Sequence, residues 1–421
     1  MKPKTFMLIA GEASGDILAA ELVRALRREL AAAEPIFTTD YQPLETSLEP
    51  RFFGAGGQHM GAAGVELAVD MTKHSLTGLP SPGQILKFWR LAKMLLRLAR
   101  DREPDAVICV DFQLFNSLIA RALRDYINKR QDWFHDWKPK IIQYVSPQVW
   151  GSREGRAAKI ARNCDLLLSI VPFEKGWYAQ RTPTLRVEFV GHPIVDRYGQ
   201  PLTARQQPSA PNLVLLPGSR TGEIVRHLPV LLEAVSIIRK EVPDVRPIMV
   251  VPNESLLNLV KQFPLPPDLD LRSTGLTDAL SQATGAIAKT GTVNLECAYF
   301  GVPTVALYKT SWVTFQFGKR LATVRYLSMP NLLANEEVFP EFIQDAATPE
   351  NIARATIDLL KNSERREKTR QRLKQIMATL GPPGASTRAA RAILDLMKEP
   401  AIHDQQMIQI APDLLPHTHR S

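Results

Sequence analysis

AIAKTGTVNLECAYFG, residues 286–301, is the stretch on which the reading of this chain turns. A short apolar run ends at Lys289, bends through Thr290-Gly291-Thr292 and continues with helical spacing. Gly291 removes a side chain where backbone would approach a ligand. The helix that follows starts with unpartnered N–H groups and partial positive charge, which favours an anion. Glu296 comes one helical turn later, where a carboxylate accepts hydrogen bonds from a sugar diol. A strand, a glycine turn and an acid-bearing helix predict a nucleotide-sugar site rather than a redox-cofactor site.

The same alternation extends outward from this segment. Strands are expected near Phe6–Ala10, Arg51–Gly54, Ala106–Val110, Ile141–Tyr144, Leu166–Ile170 and Val187–Val190, with helices at Asp16–Leu30, Ile85–Arg100 and Leu114–Tyr126. A second series begins at Leu213–Leu216 and continues with a helix at Glu223–Val242. Its later strands are Pro247–Val251, Ala286–Lys289 and Thr304–Leu307. Alternation of this kind predicts an α/β fold with parallel sheets, here two Rossmann-like halves facing across a cleft.

At 421 residues the chain exceeds one ordinary core. The expected domains are 1–200 and 201–375, with 376–399 as a helix returning to the first domain. Residues 197–211, DRYGQPLTARQQPSA, read as the linker. The polar stretches 33–50 and 127–139 read as surface insertions, and 400–421 as a disordered tail.

Charged and apolar fractions of 23% and 45% are those of a soluble globular protein. Cys109, Cys164 and Cys297 are widely spaced, match no ligand pattern and read as reduced thiols of a cytosolic protein. The first apolar run, TFMLIA, leads straight into a glycine turn, so it reads as a strand and not as a leader or a membrane span. The excess of 52 basic over 43 acidic residues suits nucleic acid, anionic lipid or phosphorylated substrates alike. No zinc-finger, RNP or helix-turn-helix pattern is present, so nucleic acid is not an expected partner. Asp268 and Asp270 are spaced like a metal-binding pair, but they sit in a proline-rich connection and read as surface. His417 and His419 lie in the tail and are not expected to be ligands.

Four further turns follow predicted strands. Gly11-Glu12-Ala13-Ser14-Gly15-Asp16 opens the first helix and suits an anion or a sugar hydroxyl, or is an ordinary turn capped by Ser14 or Asp16. Pro217-Gly218-Ser219-Arg220 repeats the arrangement, with Ser219 placed to cap and Arg220 to fork onto a phosphate. Asp111 ends the run Ala106–Val110, as a base for an attacking hydroxyl, as a helix cap, or as both. His192 in Gly191-His192-Pro193 is either a packing residue or a proton carrier. In ILKFWRLAKMLLRLAR (85–100), Lys87, Arg90, Lys93, Arg97 and Arg100 recur among apolar residues. Both a buried amphipathic helix and a membrane-surface helix fit that pattern.

Together these residues resemble the lipid-A-disaccharide synthase family, inverting glycosyltransferases of GT-B fold. The matching segments, in family order, are AGEASGD (10–16), FFGAGGQHM (52–60), YVSPQVW (144–150), VPFEKGWY (171–178), FVGHPIVD (189–196), LLPGSR (215–220), TGTVNLE (290–296) and LSMPNLLANEEV (327–338). The resemblance implies transfer of 2,3-diacylglucosamine from its UDP donor to 2,3-diacylglucosamine 1-phosphate, without cofactor or metal. It implies Asp111 as general base, with Arg220 and Asn331 also required. Substrate contacts are implied for Gly11, Glu12, Ser14, Gly15, Asp16, Ser146, His192, Gly218, Ser219, Thr290, Gly291, Thr292 and Glu296. The expected setting is the inner face of the inner membrane, with residues 85–100 on its anionic surface and the protein a monomer or homodimer. Four positions depart from the family pattern: Leu114 replaces a second Asp, Ser152 a Trp, Thr290 a Ser and Glu336 an Arg. The alternatives are a UDP-N-acetylglucosamine 2-epimerase-like enzyme and a non-catalytic lipid- or nucleotide-binding relative.

Overall fold

A computed structural model describes residues 3–33, 49–71, 82–130, 136–199 and 210–398. Most of the expected linker, the greater part of the insertion at 33–50, the middle of that at 127–139, and the tail lie outside the described residues. The chain divides into two compact units. One draws its described residues from Met1–Pro147, Gly155–Pro193 and Gly384–Ser421, the other from Gln148–Glu154 and Ile194–Pro383.

The first unit contains β1 (Thr5–Ala10), β2 (Arg51–Gly56), β3 (Glu66–Asp70), β4 (Ala106–Val110), β5 (Lys140–Tyr144), β6 (Leu166–Ser169) and β7 (Arg186–Phe189). They form one parallel sheet in the order β3-β2-β1-β4-β5-β6-β7. The second contains β8 (Asn212–Leu216), β9 (Arg246–Val250), β10 (Asp270–Arg272), β11 (Gly285–Lys289), β12 (Thr304–Tyr308) and β13 (Glu341–Ile343). Their order is β10-β9-β8-β11-β12-β13, again parallel throughout. A strand covered by helices on both faces must be apolar along its whole length, and β4 and β8 are buried at every residue. Strand order reverses between β1 and β4, and between β8 and β11. The loops leaving those strands flank the crevices where doubly wound sheets take their ligands.

Helices of the first unit are α1 (Ala13–Ala33), α2 (Gln58–Ala62), α3 (Pro82–Arg102), α4 (Gln113–Lys129), α5 (Ala157–Asn163) and α6 (Glu174–Arg181). The second unit holds α7 (Ile194–Tyr198), α8 (Thr221–Glu241), α9 (Glu254–Val260), α10 (Leu276–Gln282), α11 (Thr292–Tyr299), α12 (Trp312–Leu321), α13 (Met329–Ala334), α14 (Pro349–Lys361) and α15 (Ser363–Ala378). The last helix, α16 (Ala385–Lys398), belongs to the first unit and packs on α1. Its Ala389, Ala390, Ile393 and Leu396 share one core with Ala19, Leu22 and Leu26. Arg391 adds an ion pair to Glu29 at 2.8 Å, and Arg388 Nε donates to the Val190 carbonyl at 2.8 Å.

Three strands have no counterpart among the expected runs: β3, β10 and β13. All three are edge strands and none is buried throughout. A strand with a neighbour on one side only needs no unbroken apolar run, and ELAVD, DLR and EFI have none. Asp270 starts β10 and is salt-bridged to Arg272, while Asp268 pairs with Arg239 at 2.5 Å, so both serve surface ion pairs.

Candidate functional site

At the switch point of the second sheet lies a cavity of about 370 Å³. Gly218, Ser219, Lys289, Gly291, Thr292 and Glu296 line it. β11 ends at Lys289, Gly291 makes the turn at φ 153°, and α11 begins at Thr292. Wholly buried Asn294 holds this turn: its amide N–H donates to the Gly291 carbonyl at 3.1 Å and its Nδ2 to the Lys289 carbonyl at 2.9 Å. Thr290 is buried and its N–H donates to Leu307 at 2.9 Å, so it anchors the strand end and is not among the residues lining the cavity. On the facing loop Gly218 has φ 135°, and a Cβ there would lie 2.7 Å from the Glu223 carboxylate. No larger residue fits.

The charges of this pocket form a chain. Lys289 Nζ lies 3.0 Å from Glu223 Oε1, and the Ser219 N–H donates to Glu223 Oε2 at 3.0 Å. Arg220 stands 3.9 Å from the same carboxylate and is not one of the lining residues. Burial would raise the Glu223 carboxyl, but Lys289, the Ser219 amide and Arg220 hold it below its ordinary value. Glu223 thus ties the Ser219 backbone to the first turn of α8, whose N-cap is Arg220 and not the expected Ser219. Neither Lys289 nor Glu223 stands out in the sequence, because a lysine ending a strand and an acid in a first helical turn are both ordinary.

Glu296 is pushed up by burial, against the pull of the Tyr198 hydroxyl, which donates at 2.8 Å, and of Arg197 at 3.9 Å. Behind the 217–219 turn, fully buried His227 spans two loops: Nδ1 is 2.7 Å from the Pro217 carbonyl, and Nε2 accepts from the Lys309 N–H at 3.0 Å. This geometry assigns the proton to Nδ1, and burial lowers the ring's pKa so that it stays neutral.

In the first unit Asp111 follows β4 at the switch point. It and Phe112 both adopt left-handed backbone, φ 51° and 46°, which only over-determined surroundings sustain. Fully buried Asn116 supplies them: its Nδ2 donates to the Asp111 carbonyl at 2.7 Å and to Val110 at 3.2 Å. The Asp111 carboxyl is pushed up by burial and by the Glu12 carboxylate, against hydrogen bonds from the Phe112 N–H and the Ser14 hydroxyl. The 11–16 turn therefore meets Asp111, through Glu12 and Ser14. Gly11 serves packing, since a Cβ there would sit 2.2 Å from the Phe112 ring, and Gly15 has van der Waals room only, 3.6 Å from Asp111 Cβ.

Other expected site residues do structural work. Asp16 is 2% exposed, and its two oxygens accept the N–H groups of Gly57, His59 and Met60 at 2.7, 2.9 and 3.1 Å. It caps α2. Asn331 is fully buried with both ends engaged: Oδ1 accepts from Val338 and Phe339, and Nδ2 donates to Phe339 and Glu341. Glu341 in turn accepts the N–H groups of Leu327 and Ser328, so Asn331 positions the loop around it. Ser146 is buried beside the Tyr178 hydroxyl at 3.3 Å, and His192 is half-buried in the turn after β7.

The departures find places too. Leu114 is 65% exposed on α4. Ser152 forms an antiparallel bridge with Ala322, and Glu336 pairs with Arg372 on α15. Leu114 joins Leu118 and, on α3, Ile85, Leu86 and Trp89 as exposed apolar side chains, while Ala92, Leu95 and Ala99 of α3 are buried. One face of α3 is thus buried, as an amphipathic helix requires, and another carries exposed apolar side chains. Phe88 couples that helix to the loop after β4, its ring 5.9 Å from Phe112 and 5.8 Å from Phe115.

Among the described residues no group of three or more His, Cys, Asp or Glu could hold a metal ion, and no helix is long and apolar enough to cross a membrane. The three cysteines are buried and none is in a disulfide, and burial pushes the Cys164 thiol up to about 12. Two parallel sheets with matching strand order, each with a shaped loop pair at its switch point, define the GT-B fold. The fold is shared with S. aureus MnaA in its UDP co-structure, at TM-score 0.60 and 14% identity over 94% of this chain and 99% of that one. It is shared equally with the glycosyltransferase of kitacinnamycin, at TM-score 0.58 and 18% identity over 94% and 100%. A family model of lipid-A-disaccharide synthetase matches residues 6–394. The lipid-A-disaccharide synthase of Geobacter metallireducens is 35% identical over 414 residues, 94% of this chain and 97% of that protein. The chain belongs to the lipid-A-disaccharide synthase family.

Proposed function

We propose that this chain condenses UDP-2,3-diacylglucosamine with 2,3-diacylglucosamine 1-phosphate, giving a β-1,6-linked disaccharide 1-phosphate and UDP. The observation that carries the donor assignment is the cavity of the second unit, where a cation, two glycine turns and a carboxylate line one space. Glu296 receives the ribose diol, and the α11 N-terminus and Lys289 face the diphosphate. In the single displacement, Asp111 accepts the proton of the acceptor 6-hydroxyl as that oxygen attacks the anomeric carbon. The bond to UDP breaks on the opposite face, and preorganised donors take up the charge that develops on the diphosphate. An Asp whose carboxyl is raised by burial is a stronger base than an exposed one.

Exposed Ile85, Leu86 and Trp89 are interspersed along α3 with Lys87, Arg90, Lys93 and Arg97, with no acidic residue between 82 and 100. That charge pattern complements the anionic inner face of the inner membrane, where diacylated substrates reside. Incubating the protein with both diacyl substrates and weighing the lipid product by mass spectrometry tests the reaction. Epimerised sugar, or UDP without disaccharide, would sink it. Charge reversal at Lys87, Arg90 and Arg97 is expected to release the protein from anionic vesicles without unfolding it.

A further inference from the structure

A groove of about 460 Å³ lies between α4 and α5, lined by Arg121, Arg124, Lys159 and Arg162 together with Asp125, Asn128 and Asn163. Asp125 is 3.6 Å from Arg121, and Asp165, behind the groove, is 2.8 Å from Arg124, so cations exceed carboxylates four to two. Arg124 is the deep member. Its side chain is 22% exposed, fixed by Asp165, and its Nε is buried with no hydrogen-bond partner among the described residues. Lys159 and Arg162 are exposed at the rim and have no carboxylate partner among the described residues.

The outward face of α4 indicates which anion suits this groove. Leu114, Leu118, Arg121 and Asp125 follow one another at helical spacing, and the two leucines are 65% and 46% exposed. One face of one helix therefore passes from bare hydrocarbon to guanidinium within a single turn. From Leu118 to Arg121 the rise is about 4.5 Å at ~1.5 Å per residue. A bilayer makes the same transition, from acyl chain to phosphate, within a polar layer roughly 5–8 Å thick on each side. A soluble phosphate would gain nothing from the leucines.

We propose that the α4–α5 groove binds the phosphate of an anionic phospholipid headgroup, with the acyl chains of that lipid beside Leu114 and Leu118. Arg121 and the accessible part of the Arg124 guanidinium offer planar donors to phosphate oxygens, and Lys159 and Arg162 supply charge at the rim. The assignment rests on the membrane-surface reading of α3 and adds to it a defined lipid site away from Asp111.

Full-length protein titrated with phosphatidylcholine vesicles, with and without phosphatidylglycerol, tests it. The Lys159→Glu/Arg162→Glu variant is expected to bind phosphatidylglycerol vesicles about tenfold or more weaker, with binding to pure phosphatidylcholine unchanged. Its thermal unfolding should match the wild type, and so should its activity on detergent-dispersed substrates. A control pair outside the groove, Lys240→Glu/Lys261→Glu, should leave vesicle binding unchanged. Equal losses from both pairs would mean diffuse attraction, and no loss from the first would remove the groove; either overturns the proposal. If glycerol phosphate binds by calorimetry as tightly as short-chain phosphatidylglycerol, the lipid assignment also falls. Wild-type protein that ignores phosphatidylglycerol vesicles altogether would overturn the membrane reading as well.

Discussion

The two units share strand order and the position of their switch points, yet they equip those points in opposite ways. In the first, the loop after β4 carries a carboxylate on left-handed backbone, pushed up by burial and a neighbouring acid and walled by three phenylalanine rings. In the second, the loops after β8 and β11 carry glycines and a lysine–glutamate pair around an open cavity. A proton acceptor gains from desolvation, because a raised pKa strengthens the base. A diphosphate site gains from fixed charge and bare backbone. On the proposed roles, one topology hosts two chemistries, separated by what a few loop residues do to local charge.

The sharpest way to break this contrast is Asp111→Asn. Turnover should fall roughly 10²–10⁴-fold, while UDP affinity measured by calorimetry stays as in the wild type. A parallel loss of UDP binding would merge the two roles. Lys289→Ala should act in the reverse sense, weakening UDP about 10–100-fold through loss of a charged hydrogen bond while uridine binds as before. Equal weakening of uridine would make the change a structural one.

His227 gives a smaller, pH-dependent effect confined to the second unit. Its folded pKa lies below the ordinary 6.5, so the folded state binds fewer protons than the unfolded chain as pH drops. The His227 contribution is therefore complete above pH 6.5 and is lost progressively below it. Urea midpoints between pH 7.5 and 5.5, values of roughly one unit either side of the imidazole range, should show a slope that His227→Gln flattens. Smallest is Ser14→Ala. Removing a hydroxyl that lowers the Asp111 pKa should move the acid limb of kcat/KM to higher pH, above its already raised position. A limb that stays in place would detach the 11–16 turn from the base.

The central strands were legible because burial on both faces forces unbroken apolar runs, and AVICV is strand β4 residue for residue. Three of the four edge strands escaped for the opposite reason, as EFI shows, while β7 was found. Site residues divided along a similar line. Gly291 and Glu296 announced themselves through turn chemistry and spacing, and both line the cavity. Lys289 and Glu223 did not, since their meaning lies in a 3.0 Å approach between residues 66 positions apart in sequence. Asp16 and Asn331 show the converse limit. Their places in recognisable motifs suggested ligand contact, while their polar atoms are taken up by the protein's own backbone and by Glu341.

The return of α16 to α1 has a consequence for synthesis. Apart from residues 148–154, the second unit is one continuous stretch ending at Pro383, whereas the first is incomplete until α16 has been made. At ~5–20 residues per second, the ribosome takes on the order of 10–40 s to cover the intervening two hundred or so residues. Throughout that interval the α16-facing side of α1, including Leu22 and Leu26, has no cover. The half of the molecule translated first is the half finished last, and a nascent chain stalled before residue 385 should be a chaperone client with its second unit already closed.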